Sequence, residues 1–178
     1  MPDPLRATLR AHRPIDDEEA TDLARTLAMV EADDDPWSRR LPLHVTASAL
    51  VVDPVSGRVL LRWHAKQQRW LQVGGHGDPG ERDPWPIARR EAEEETGLTD
   101  LRLLGDGLLQ VTIVPVNAVG DEPAHEHADL RYLLATDRPH DVPPEREGVP
   151  LRWFTLAEAL EVADDGLARL LRRVPGLR

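Results

Sequence analysis

Apolar and polar positions along this chain fall into alternating stretches of helical and extended pattern. Behind Asp16-Asp17-Glu18-Glu19, which offers an N-cap with an acid three residues on, Ala20, Leu23, Leu27 and Val30 recur at helical spacing until Asp33-Asp34-Asp35-Pro36. A helix over about residues 17–32 is the expectation. Leu43 to Asp53 is rich in β-branched and small residues without helical period, and Pro54-Val55-Ser56-Gly57 turns it into a second strand at Arg58 to Trp63. A short strand at Trp70 to Val73 leads into the glycine-rich stretch Gly74 to Gly80. The next helix fits between Pro84 or Pro86 and Thr96, with Gly97 as its C-terminal cap. Strands are expected at Leu101 to Leu104, Leu108 to Val119, Ala128 to Ala135 and Leu151 to Phe154. Residues 139–150 read as a Pro-rich loop, and Leu156 to Ala163 and Gly166 to Arg173 as helices. No repeat or linker divides the chain, and this order implies an α/β or α+β sandwich.

Composition narrows the chemistry. The 178 residues suit one domain with a single packed core. With 22 basic against 32 acidic side chains, a net charge of −10 opposes general attraction to nucleic acid or anionic membranes. There is no cysteine, which excludes disulfide scaffolds, Cys-ligated zinc, iron–sulfur clusters and thiol nucleophiles. The longest apolar run, Ala49 to Val52, is far short of a membrane span, and Met1-Pro2-Asp3-Pro4 is unlike a signal peptide; a cytoplasmic protein is expected. The one lysine, Lys66, stands outside any Gly-Lys-Ser/Thr loop, and Ser38, Ser48 and Ser56 stand outside any Gly-x-Ser-x-Gly elbow.

The informative segment is Arg90-Glu91-Ala92-Glu93-Glu94-Glu95-Thr96-Gly97-Leu98. At about 100° per residue, Glu91, Glu94 and Glu95 share one helix face, while Glu93 points to nearly the opposite side. Like charges at these spacings, near a helix C-terminus, repel one another and the macrodipole. Either the face is simply solvated, or a cation compensates it, and a hard divalent metal is the economical choice. The glycine-rich turn ahead of the helix, Glu81 in the intervening loop and Arg90 beside Glu91 favour the metal.

These residues resemble the box of the Nudix hydrolases: Gly, five residues, Glu, seven residues, Arg-Glu, an aliphatic residue, any residue, Glu-Glu, any residue, Gly, aliphatic. Here Gly75 is followed after five residues by Glu81 and after eight more by Arg90-Glu91-Ala92-Glu93-Glu94-Glu95-Thr96-Gly97-Leu98. Every fixed position is filled, with one extra residue that lengthens the loop at Asp83-Pro84-Trp85-Pro86. The flanking Thr46 to Ala49 and Leu151 to Phe154 also look like the family. The resemblance implies a Nudix-type α/β/α sandwich with a mixed sheet, carried by residues 41–178, and a helical extension at residues 1–40 packed on it. It implies a pyrophosphohydrolase acting on a nucleoside diphosphate linked to another moiety, with Mg2+ or Mn2+ as cofactor. By resemblance Glu91 and Glu95 are metal ligands, Glu94 a ligand or the base, Arg90 their orienting partner, and the Gly75 carbonyl a further ligand. A nucleotide-sensing module of the same fold would have no need of all three glutamates, and a prenyl diphosphate isomerase is disfavoured by the missing cysteine.

Other signals are less decided. Gly75-x-Gly77-x-x-Gly80 matches a dinucleotide fingerprint literally, but Pro79 and Pro84 argue against the helix it needs. His125, His127 and Asp129 share one face of an extended segment; they are either polar residues at a strand entrance or a phosphate contact or base opposite the box. Glu147, six residues before Trp153, stands where many members of the family carry an acid on a loop reaching the site, with Glu145 as competitor. Trp70 and Trp85 flank the box and could stack a base or merely pack. The N-terminal helix covers the sandwich or joins a homodimer contact. The substrate is a small molecule, its identity open: Pro115 lies seventeen residues beyond Leu98 rather than about fifteen, and no other subclass marker is present.

Overall fold

In the computed structural model, which describes residues 3–118, 120–121, 123–142 and 150–174, two helical layers enclose one mixed sheet. The elements run α1 (Pro4–Ala11), α2 (Asp17–Ala32), β1 (Leu43–Asp53), β2 (Arg58–His64), β3 (Arg69–Leu71), β4 (Val73–Gly75), α3 (Pro84–Thr96), β5 (Arg102–Val116), β6 (His125–Ala135), β7 (Leu151–Phe154), α4 (Leu156–Val162) and α5 (Asp165–Leu171). The main path is β3-β2-β1-β6-β5, with β4 paired to β1 and β7 to β2. Among the described residues only β1 and β6 run parallel; every other pair is antiparallel.

Alternation along β1 builds both layers. Val45, Ala47, Ala49 and Val51 face a core that holds Ile87, Ala88 and Ala92 of α3 with Leu5, Leu9, Leu23 and Val30 of the N-terminal helices. Leu50 and Val52 face a second core with Phe154 of β7, Ala159 of α4, and Leu167, Leu170 and Leu171 of α5. Ala47 and Ala49 are small where α3 crosses, which lets that helix lie close to the sheet. Further along the second face the pattern turns polar: the register pairs His44 with His127, Thr46 with Asp129 and Ser48 with Arg131. The α4–α5 layer covers the apolar end, and the polar end is left as a cleft.

Five differences from the sequence reading have physical causes. First, α1 lies in what reads as a Pro-rich lead; the Asp3 carboxylate accepts from Leu5 N (2.9 Å) and Arg6 N (3.2 Å), Pro4 opens the helix, and Leu5 and Leu9 are buried one turn apart. Second, Trp70 to Val73 is two strands broken at Gln72, because β3 pairs with β2 and β4 with β1. Third, the two strands expected at Leu101–Leu104 and Leu108–Val119 are one, Arg102–Val116, irregular at Gly105 and Gly107, whose φ angles of 82° and 145° suit glycine. Fourth, β6 begins at His125 rather than Ala128, since polar side chains do not prevent pairing and Glu126 N donates to Pro42 O at 2.7 Å. Fifth, Asp83 to Pro86 is not a lengthened loop but the cap and first turn of α3: Asp83 accepts from Trp85 N at 3.2 Å.

The outer edge of β5 is closed by two acids of α2. Val111 N donates to Glu19 Oε1 and Ile113 N to Asp22 Oδ2, each at 2.9 Å, so the edge strand offers no open amides there. Glu19 is fully buried and also meets His12 (2.8 Å), Ile15 N (2.9 Å) and both terminal nitrogens of Arg173 (2.9 and 2.6 Å). Those hydrogen bonds hold its carboxyl well below the usual carboxylate range despite burial. One buried carboxylate thus joins the N-terminal segment, the sheet edge and the C-terminal segment. Among the described residues no helix is long and apolar enough to cross a membrane.

Candidate active site

Helix α3 ends as its sequence predicts, with Gly97 in the left-handed region at φ 73° and its N–H returned to Glu93 O at 2.9 Å. That fixes the rotation of its last turns. Glu91 and Glu95 point inward, with side chains only 16% and 18% exposed, while Glu94 on the same side is 59% exposed. Glu93 faces away and pairs with Arg89 at 2.8 Å.

Arg90 is the organiser of the acids. Its guanidinium donates from Nε and NH2 to the two oxygens of Glu81 (3.2 and 2.9 Å) and from NH1 to Glu91 (3.0 Å) and Glu94 (3.1 Å). NH2 also reaches His76 O at 3.1 Å, tying the glycine-rich turn to the helix. The two-point grip on Glu81 is the strongest arrangement an arginine makes with a carboxylate, and it places Glu81 against the helix despite the extra residue between them. Hydrogen bonding to Arg90 draws the Glu81 carboxyl below its ordinary value, and Glu81 in turn raises that of Arg90.

Glu95 is held from the sheet side. Its Oε2 accepts Gly74 N–H at 3.1 Å and its Oε1 lies 3.1 Å from Arg62 of β2. Gly74 has φ 148° and lies so close to β1 that a Cβ there would come within 2.3 Å of the Ser48 side chain. Gly75 is equally confined: a Cβ would stand 2.8 Å from the Glu91 carboxyl carbon. Burial pushes the Glu91 and Glu95 carboxyls up, with Arg90 and Arg62 respectively opposing it in part. Two half-buried acids whose ionised form is disfavoured suit a cation, and the donor set of carboxylates beside a turn carbonyl is of the hard-oxygen type that binds Mg2+ or Mn2+.

A cleft of about 340 Å3 opens beside this turn, lined by Gly75 and Glu95 on one side and by His127, Asp129 and Arg131 of β6 on the other. The Asp129 carboxylate is already occupied by Thr46 (3.1 Å), Ser48 (2.9 Å), Gln72 (3.3 Å) and Arg131 (2.8 Å), and the residue is only 6% exposed. Held in this way, it forms part of the cleft wall. His127 lines the cleft, but burial, with His44 adding to it, lowers its pKa to about 4, which makes it a weak proton acceptor at neutral pH. His76 is lowered to about 3, again chiefly by burial, with Arg39 adding to it.

The two tryptophans lie elsewhere. Trp70 is on the opposite face of the β2–β3 pair from Arg62, edge-on to Trp63 (5.6 Å) and Phe154 (5.0 Å). Trp85 packs on Tyr132 at 5.6 Å beside the first core. Neither lines the cleft, and each packs against neighbouring aromatic rings. Glu147 and its competitor Glu145 lie outside the described residues. Sequence reading missed Arg62 and Gly74 as partners of Glu95, and His44 and His76 beside His127. Arg62 carried a signal, an isolated charge between Leu61 and Trp63, but its target depends on how β2 meets α3.

The NUDIX domain family model matches residues 42–174. The chain belongs to the Nudix family. It is therefore a hydrolase acting on pyrophosphate bonds, of a family that uses divalent metal ions. Among its relatives, the asymmetrical bis(5'-nucleosyl)-tetraphosphatase of Caenorhabditis elegans is 30% identical over 135 residues, covering 72% of this chain and 93% of that protein. A probable DHNTP pyrophosphohydrolase of Lactococcus lactis subsp. cremoris is 32% identical over 116 residues, 64% of either chain. The crystal structure of a Caenorhabditis elegans Ap4A hydrolase binary complex superposes with a TM-score of 0.58 at 26% identity, covering 72% of this chain and 93% of that one. A Nudix hydrolase from Clostridium perfringens shares the fold at a TM-score of 0.53 and 21% identity, over 73% of this chain and 95% of its own.

Proposed function

We propose that this Nudix protein hydrolyses a nucleoside diphosphate linked to another moiety, by attack of water on the pyrophosphate, with Mg2+ or Mn2+ bound at Glu91, Glu94, Glu95 and the Gly75 carbonyl. The observation that carries the reading is that Glu91 and Glu95 meet the Gly74–Gly75 turn beside a cleft that Glu95 lines, with Glu94 on the same side of the helix and joined to Glu91 through Arg90. The metal would neutralise phosphate oxygens and lower the pKa of a bound water.

The chain's own residues do the positioning. Arg90 fixes the directions of Glu91 and Glu94 and clamps Glu81, so the helix face arrives preorganised. Gly74 and Arg62 aim Glu95 at the turn. Glu94, the most exposed of the three, is the one with room either to complete the metal site or to accept a proton from the attacking water. A sensing module that binds without cleaving would gain nothing from this arrangement of acids. The domain comprises residues 41–178, with residues 1–40 a helical extension that closes the β5 edge through Glu19 and Asp22.

The relatives are named for two different substrates, which supports the shared pyrophosphate chemistry and leaves the leaving group open. The test is a phosphate-release panel of dinucleoside polyphosphates, nucleotide sugars, nucleoside triphosphates and a pterin triphosphate, with Mg2+ or Mn2+. Metal-dependent cleavage of a nucleoside-containing member is expected. Cleavage of the pterin alone, or of none, overturns the reading.

A further inference from the structure

Beyond the box helix, four imidazoles gather at the polar end of the sheet. His44 and His127 are register partners on β1 and β6, and His76 follows directly on Gly75. His44 Nε2 stands 3.0 Å from His76 Nε2, and one ring nitrogen from each of His44, His76 and His127 lies within 4.8 Å of the other two. His125 stacks on His44 with 5.3 Å between ring centroids and brings its Nε2 to 3.1 Å from that of His127. Around a tetrahedral ion with metal–nitrogen bonds of about 2.0–2.1 Å, ligand nitrogens sit roughly 3.3 Å apart. One pair is already near that separation, and the third ring is within a small side-chain adjustment.

The tautomer of His44 is also set for ligation. Its Nδ1 lies 3.0 Å from the Leu41 carbonyl, which can only accept, so the proton is on Nδ1 and the Nε2 lone pair points at His76. A backbone carbonyl behind the non-ligating nitrogen is the usual support of a metal-bound histidine. Burial of His44 locks the ring in that orientation.

We propose that His44, His76 and His127 form a second metal site, made of nitrogen donors alone, which takes a transition-metal ion of the zinc class and is separate from the carboxylate site of α3. Imidazole suits such ions, whereas Mg2+ prefers oxygen, so one cleft would sort two kinds of cation by donor type. An ion held there pins the start of the box turn to β1 and β6, because His76 is the residue after Gly75. His76 and His127 line the cleft, and three protein ligands leave a fourth position for water or a substrate oxygen.

The test uses the full chain, stripped of metal and then held in millimolar Mg2+, titrated with Co2+ as a spectroscopic stand-in for Zn2+ and with Zn2+ by calorimetry. One equivalent of Co2+ should develop the visible absorption of a four- or five-coordinate nitrogen site. H76Q and H127Q should each weaken Co2+ and Zn2+ binding by at least about tenfold, while E95Q leaves both unchanged. H44Q removes a buried ring, so it is compared only where its circular dichroism matches the parent; His76 and His127, on the cleft wall, carry the test without it. Absence of the absorption, or its loss in E95Q with retention in H76Q, overturns the proposal and leaves the cluster as hydrogen-bonded imidazoles. No hydrolysis is measured, so failure here is distinct from failure of the proposed reaction.

Discussion

The carboxyl carbon of Glu91 lies 2.8 Å from the position a Cβ would take on Gly75, so the box turn and the box helix are in contact at the site itself. Only a residue without a side chain lets the carboxylate stand against the turn backbone. The turn is held there by two bonds to the helix, Arg90 NH2 to His76 O and Gly74 N to Glu95 Oε2, each at 3.1 Å. Backbone and acids therefore form one unit.

Gly75→Ala tests that unit. The added methyl pushes Glu91 out of place while leaving every carboxylate in the chain, so Mn2+ affinity and kcat should each fall at least about tenfold, near 1.4 kcal/mol. The melting temperature should move by only a few degrees. Metal titration alongside steady-state kinetics checks this, and an unchanged metal affinity would show that Glu91 binds elsewhere.

Arg90→Lys keeps a positive charge but loses the planar fork that reaches Glu81, Glu91 and Glu94 together. A loss of roughly tenfold or more in kcat/KM is expected, with weaker metal binding to match. If the lysine variant is as active as the parent, charge alone suffices and the orienting role is wrong.

How far the sequence revealed this arrangement depends on the kind of contact. The face shared by Glu91, Glu94 and Glu95, and the opposite placement of Glu93, follow from helix period, a local property that needs no partner. The same holds for the Gly97 cap. His44 and His127 are 83 residues apart, and their meeting depends on the parallel register of β1 with β6, which no local pattern encodes. Asp129 shares a face with His125 and His127, as strand alternation predicts, but the partners that hold it, Thr46 and Ser48 of β1 and Gln72 between β3 and β4, are distant in sequence. The choice left open for Trp70, stacking or packing, is likewise non-local, since the face it takes follows from the pairing of β3 with β2. Helix α1 was legible after all: Asp3-Pro4 ahead of Leu5 and Leu9 is a cap, a first-turn proline and a one-turn apolar pair.

Glu19 makes a stability prediction with a definite sign. Its carboxyl titrates lower in the folded chain than the usual carboxylate value, so its stabilisation is fully present above that value and is lost as pH falls through the folded one. Acid unfolding of the parent should therefore steepen below about pH 4. Glu19→Ala leaves Arg173 without its buried partner and should cost about 3–5 kcal/mol at pH 7, and less in acid. Denaturant melts of both proteins at several pH values decide it; a variant loss that does not shrink with acid would contradict the ion-pair origin.

The measurement that tests the metal-dependent reaction most directly compares three adjacent, chemically identical residues. Glu93, Glu94 and Glu95 are each replaced by Gln, which preserves size and helix propensity while removing charge. Glu95 points into the turn, Glu94 shares its face through Arg90, and Glu93 pairs with Arg89 on the far side. E94Q and E95Q should each lower kcat at least about a hundredfold, near 2.7 kcal/mol, and weaken Mg2+ or Mn2+ binding, while E93Q stays within about threefold of the parent. Equal losses at all three positions, or none at any, would contradict the assignment of this helix face to the metal.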